Sequence, residues 1–243
     1  MIKVIVFCTK LVVTVAIALL FASCNHTFEG IKGTGNVQIE QRKIGEIFTK
    51  ISASRGLEVQ VEQGNTVKVE VEADQNLLSH ITTKVENGTL IISSDENIYS
   101  SEKEIIRVTL PTLEGLETTS GSTISSKSIL KGTKLRVKSD SGSEINANVE
   151  FDAITSESTS GSTITLSGKA LKFTSASSSG SEIEATNLLA NDVAAEATSG
   201  SSTDVHPGVS ISAKASSGSS IDYFGSPKTV SKEESSGGSV SKE

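Results

Sequence analysis

One triplet recurs through the second half of the chain and limits what it can become. Ser-Gly-Ser stands at residues 120–122, 141–143, 160–162, 179–181, 199–201 and 217–219, and a degenerate copy, Ser236-Gly237-Gly238, follows. The steps between the central glycines are 21, 19, 19, 20, 18 and 19 residues. A period near 20 is the mark of a solenoid, in which each repeat stacks on the one before it. Around the triplet the chain keeps phase. Six positions before its first serine stand Leu135, Ile154, Phe173, Val193, Ile211 and Val230. Four positions after it stand Ile124, Ile145, Ile164, Ile183, Thr203, Ile221 and Val240. Small residues such as Ser158, Ser177 and Ala197 occupy further alternate positions, and Lys138, Glu157, Glu182 and Glu196 fall between them. Period-two alternation inside a 20-residue period predicts a β-solenoid wall with apolar and small residues inside and polar ones outside. Gly121, Gly142, Gly161, Gly180, Gly200 and Gly218 are the expected corners, because glycine adopts backbone angles that a Cβ resists.

Composition agrees with a thin core. The 243 residues include no tryptophan, and aromatics make up 4%. The regular isoleucines argue against reading the Ser/Thr-rich sequence as disordered.

Before the repeats, the alternation in Leu57–Glu62 and Val67–Glu72 across Gln63-Gly64-Asn65 predicts a β-hairpin. Ile81–Glu86 and Thr89–Ser93 across Asn87-Gly88 predict a second. Between them Asp74 is expected to cap a helical turn around Leu77-Leu78. The whole reads as all-β: a β-strand head over 36–112 that caps a right-handed, single-stranded β-helix over 113–236 with coils of about 20 residues. A polar tail is expected over 237–243.

The N-terminus reads as a targeting segment. Lys3, an apolar run from Val4 to Phe21 interrupted by Lys10, and Phe21-Ala22-Ser23-Cys24 have the order of a secretory signal. The stretch resembles the bacterial lipoprotein signal, which implies removal of 1–23, lipidation of Cys24 and a tether over 24–35. An ordinary signal and an uncleaved anchor stay open. A lipid thioether would also account for the unpaired Cys24, since Cys8 leaves with the signal. Loss of Lys3 and Lys10 leaves 20 basic against 29 acidic residues, a charge of −9. With no basic cluster, nucleic acid is not an expected partner.

The region before and through the repeats resembles the bacterial family described as putative auto-transporter adhesin, head GIN domain. The resemblance rests on Arg55–Val61, Asn76-Leu77-Leu78, Glu86–Leu90 and Arg107–Pro111, followed by the Ser-Gly-Ser repeats. The family's namesake stretch reads Arg55-Gly56-Leu57 here. The resemblance implies a β-solenoid-like fold on an exported, often lipid-anchored protein and brings no catalytic residues.

The serines need a positioned base to act as nucleophiles. The three histidines, His26, His80 and His206, are scattered, so the triplets read as architecture. Glu184, Asp204 and Asp222 recur five positions after the triplet serine in three successive coils. Stacked about 4.8 Å apart, they form an acidic ladder that could share Ca²⁺, or a solvated edge that discourages sheet pairing. No other cofactor is expected. Together these readings point to a non-enzymatic, lipid-anchored protein of the bacterial envelope, at the outer membrane and facing periplasm or surroundings. Its solenoid surface would bind a glycan or another envelope protein. The alternatives are a carbohydrate-active enzyme on a β-helix and a self-assembling structural solenoid.

Overall fold

The structure, a computed structural model, describes residues 30–243. The expected signal and Cys24 lie outside the described residues. Every regular element among those residues is a strand. In order these are β1 (Ile31–Lys32), β2 (Val37–Arg42), β3 (Lys50–Ala53), β4 (Glu58–Gln63), β5 (Lys68–Asp74), β6 (Ile81–Glu86) and β7 (Thr89–Ser94). Then come β8 (Ile98–Ser100), β9 (Glu104–Leu110), β10 (Gly115–Thr118), β11 (Thr123–Ser126) and β12 (Leu130–Ser139). The long strands β13 (Glu144–Ser158), β14 (Thr163–Ser177), β15 (Glu182–Ala197) and β16 (Ser202–Ala215) follow. Last are β17 (Ser220–Tyr223), β18 (Thr229–Glu234) and β19 (Ser239–Lys242).

The repeat region is a parallel β-solenoid. Each long strand bends and contributes to two walls: its last residues continue the wall of β3 and β10, the first wall, and its first half continues the wall of β4 and β11, the second. Successive coils pair in parallel with little register loss. The expected isoleucine ladder is a register column: Ile124, Ile145, Ile164, Ile183, Thr203, Ile221 and Val240 face one another on adjacent rungs. All of them are buried. Thr203 fits this apolar column because its hydroxyl bonds that of Ser177 at 2.8 Å, which also meets Ser201 at 2.9 Å. On the opposite wall Leu135, Ile154, Phe173, Val193 and Ile211 stack and are buried, while Val230 on the last coil is 42% exposed.

The corner is built from two left-handed residues. The first serine of every triplet has a positive φ, between 48° and 57°, and so has the glycine after it. In the six full triplets the glycine N–H reaches up to the serine carbonyl of the next corner, as Gly142 does to Ser160 at 3.1 Å. The residue after the glycine turns inward in the six full triplets, and its buried hydroxyl donates to backbone; Ser162 reaches the Thr159 carbonyl at 2.8 Å. Buried hydroxyls are tolerated when bonded in this way. Length variation is confined elsewhere. The 20-residue and 18-residue steps are absorbed by register shifts beside Thr165–Ser167 and between Ala185 and Asp192, far from the corner.

The N-terminal region departs from the expected cap of two hairpins. The second hairpin forms: β6 and β7 are antiparallel, and Asn87 and Gly88 both have positive φ. The first does not. β4 pairs in parallel with β11 on one edge and β9 on the other, and β5 lies beyond β9, antiparallel to it and to β2. Alternation identified a buried face, but β4 has both edges taken by solenoid neighbours, so β5 had to pair elsewhere. Hence β3 and β4 form a rung of the solenoid, and β7 and β9 form the rung below it. The chain then passes over its own first rung to add β10 and β11 on top. Val59 and Ile106 extend the isoleucine ladder downwards. Arg55-Gly56 is a corner of the same kind, with φ of 64° and 78° and the Gly56 N–H on the Ser120 carbonyl at 3.0 Å.

Asp74 caps no helix. The stretch to His80 is a series of turns, and the Asp74 carboxylate accepts the Glu102 N–H at 2.9 Å instead. At the N-terminal side, β1 pairs with β8, and the Thr34 N–H donates to the Asn76 side chain at 3.1 Å. At the other end the expected polar tail is strand β19, paired in parallel with β17. Here the inward positions change character. Lys232 and Glu234 stand above Ala213 and Ala215. The Lys232 ammonium lies 4.9 Å from the Tyr223 ring centre and donates to the Val240 carbonyl, while Glu234 accepts the Val240 N–H. Charges turned inward on the last rung make a poor template for another coil.

Candidate functional site

In-register stacking turns each outward position into a column running the length of a wall. On the second wall, Asn146, Thr165, Glu184, Asp204, Asp222 and Ser241 form one such column. The three acids of the expected ladder are therefore brought together on consecutive rungs. Thr165 donates its hydroxyl to Glu184 at 3.2 Å. Among the described residues no three His, Cys, Asp or Glu side chains converge as a metal-holding group. Partial burial, followed by the charges of Asp222, Glu182, Glu184 and Glu243, raises the Asp204 carboxyl above its ordinary value.

A raised carboxyl pKa means that the folded state disfavours the charged form. The penalty is fully present above the folded pKa and absent below the unfolded value, about 3.9. Asp204→Asn is therefore expected to raise the melting temperature at pH 7. Like-charge neighbours cost up to about 1 kcal/mol, worth roughly 2–4 °C in a domain of this size. The difference from wild type should vanish near pH 3.5, which melting curves across that range would check.

The six corner glycines, Gly121, Gly142, Gly161, Gly180, Gly200 and Gly218, all sit at positive φ, and a Cβ added at any of them would meet no heavy atom within 4 Å. They are turns with open space beside them. Of the histidines, His80 meets Asp95 at 2.9 Å and His206 meets the Thr186 carbonyl at 3.0 Å. The best-shielded ion cluster joins Glu72 of β5 to Lys103 and Arg107. Hydrogen bonds from Lys103 and then Arg107 hold the Glu72 carboxyl below its usual range.

The first wall carries a feature that sequence reasoning missed. Its outward column reads Thr89, Lys50, Gly115, Arg136, Thr155, Thr174, Ala194 and Ser212. The column beside it reads Glu117, Lys138, Glu157, Ala176, Glu196 and Lys214. Where the small residue Gly115 falls, the wall opens into a cavity of about 300 Å³ bordered by Lys50, Glu114, Glu117, Arg136 and Lys138. A second hollow of about 210 Å³ lies over Ala176, between Glu157 and Glu196. Lys50 is 65 residues from Gly115, and nothing in the local sequence signals that the two are neighbours.

The described residues thus form a parallel β-solenoid closed below by antiparallel strands, with hollowed polar columns on its walls. The chain belongs to the family described as putative auto-transporter adhesin, head GIN domain, whose model matches residues 47–227. Among solved structures it is similar to a putative adhesin from Bacteroides fragilis NCTC 9343, with 23% identity and a TM-score of 0.82 over 88% of this chain and 100% of that one. A putative lipid binding protein from Parabacteroides distasonis ATCC 8503 has 19% identity and a TM-score of 0.70 over 88% and 100% of the two chains. A putative adhesin from Parabacteroides merdae ATCC 43184 has 19% identity and a TM-score of 0.66 over 88% and 98%. At these identities the likeness is one of fold. No curated protein matches the chain.

Proposed function

We propose that this protein is a non-enzymatic, lipid-anchored component of the bacterial envelope whose first wall binds an extended polymer, with a glycan as the favoured class. The observation that carries this reading is the in-register outward column pair from Lys50 to Ser212, with its hollows over Gly115 and Ala176. A repeating chain can follow columns that repeat at a fixed rung spacing, and short polar side chains leave room for sugar hydroxyls. Family membership and the names of the structural neighbours support an adhesive or binding role. The lipoprotein-like Cys24 motif supports the anchor.

The test has two arms. Cys24→Ser is expected to move the protein from the membrane fraction to the soluble fraction of expressing cells, and retention in the membrane would remove the lipid anchor. The purified domain is expected to bind members of a panel of envelope polysaccharides without shortening them. Shortened products would favour the enzyme, and silence across the panel would remove the glycan reading.

A further inference from the structure

Two cations of the solenoid surface pair with a carboxylate on the adjacent rung of their own column: Lys131 with Glu150 at 2.6 Å, and Lys214 with Glu233 at 3.1 Å. The column Lys50–Gly115–Arg136 has a cation on each side of a glycine. The rung between them carries no side chain in this column. Lys50 and Arg136 stand two rungs apart, about 9–10 Å, with Lys138 in the neighbouring column and the cavity of about 300 Å³ between them. Among the described residues neither Lys50 nor Lys138 has a carboxylate within ion-pair distance. Arg136 gives one nitrogen to Glu157 at 3.0 Å. Of the two carboxylates at the rim, Glu114 takes the Thr49 hydroxyl at 2.8 Å, and Glu117 remains as an acceptor.

We infer that this notch is a subsite for the carboxylate of an acidic sugar residue, which sits among Lys50, Arg136 and Lys138 where Gly115 leaves room. The inference rests on the glycan reading of the first wall and names the sugar class that it takes. Lys50, Arg136 and Lys138 supply charge-assisted hydrogen bonds to the carboxylate. Glu117 and the Thr89 hydroxyl face the same cavity and can bond the ring hydroxyls. A protein of net charge −7 gains selectivity here because its remaining surface repels a polyanion.

Titration calorimetry with tetragalacturonic acid, maltotetraose and tetraglutamate tests the assignment. Wild type is expected to bind tetragalacturonic acid, more weakly as salt rises, and to prefer it at least tenfold over tetraglutamate. The double variant Lys50→Ala/Lys138→Ala removes charge, and Gly115→Thr fills the notch while keeping it. A Cβ at Gly115 meets the flexible Lys50 side chain first, at 3.1 Å, so the fold should survive, as a melting curve would confirm. Each variant is expected to lose at least tenfold in affinity for tetragalacturonic acid. Unchanged affinity in both, or equal binding of tetraglutamate, overturns the subsite. If maltotetraose or another neutral glycan binds and tetragalacturonic acid does not, the subsite fails and the glycan-binding wall stands. If no glycan binds, both fail.

Discussion

Phe173→Ala is expected to destabilise the protein by about 3–5 kcal/mol, the range for a fully buried phenylalanine. Its melting temperature should fall by roughly 6–20 °C, taking 2–4 °C per kcal/mol for a domain of this length. Phe173 is 1% exposed and lies between Ile154 below and Val193 above in the column of the first wall. Rung spacing is fixed by the backbone hydrogen bonds of β13, β14 and β15, so the walls cannot close on the space left behind. The cavity would touch three rungs at once. Stability in a solenoid is a sum of rung and interface contributions, so the damage should also loosen cooperativity and reduce the urea m-value. Val230→Ala in the same column is the control. Val230 is already 42% exposed on the last coil, so its loss should cost less than about 1 kcal/mol. Equal losses in the two variants would show that the rungs do relax inwards.

The sequence made the repeat region legible because two signals agreed there. The triplet set the phase, and the isoleucines four residues later confirmed it in nearly every coil. The region before it lacked the first signal. Val59 and Ile106 occupy the same ladder as Ile124, but Arg55-Gly56 makes its corner without a serine, and the chain places β3 and β4 beneath β10 and β11 rather than β4 beside β5. Alternation shows which face of a strand is buried and is silent about which strand lies beside it. The hairpin expected at Gln63–Asn65 failed for that reason, whereas Asn87-Gly88 succeeded because the turn itself dictates the pairing. At the last coil residues 237–243 read as a polar tail, yet β19 pairs there with β17, a full coil away in the chain, and Lys232 and Glu234 bond across the end of the stack from inward positions. The notch over Gly115 was invisible for a similar reason, since its flanking cations come from rungs 65 and 21 residues away in the chain.

A glycine that the repeat does not advertise matters more to stability than those at its corners. Gly168→Ala is expected to destabilise the protein by roughly 3 kcal/mol or more, while Gly161→Ala should cost only about 1 kcal/mol. Gly161, at the centre of a triplet, has φ 69°, a left-handed angle that the serine before it already adopts at 56°. A Cβ there meets nothing within 4 Å, and alanine partly recovers the strain by restricting the unfolded chain. Gly168 interrupts β14 with φ 115°, outside the left-handed well that other residues can enter. A Cβ at this position would lie 2.1 Å from the Val149 carbonyl oxygen, a backbone atom held in the β13–β14 ladder. Neither partner can move without breaking the pairing of two coils. Urea midpoints for the two variants measure the contrast directly. If Gly161→Ala proved the more damaging, the corner would be a strained joint rather than an open one, and the two consecutive left-handed residues would need some support beyond the hydrogen bond from each glycine to the next serine carbonyl.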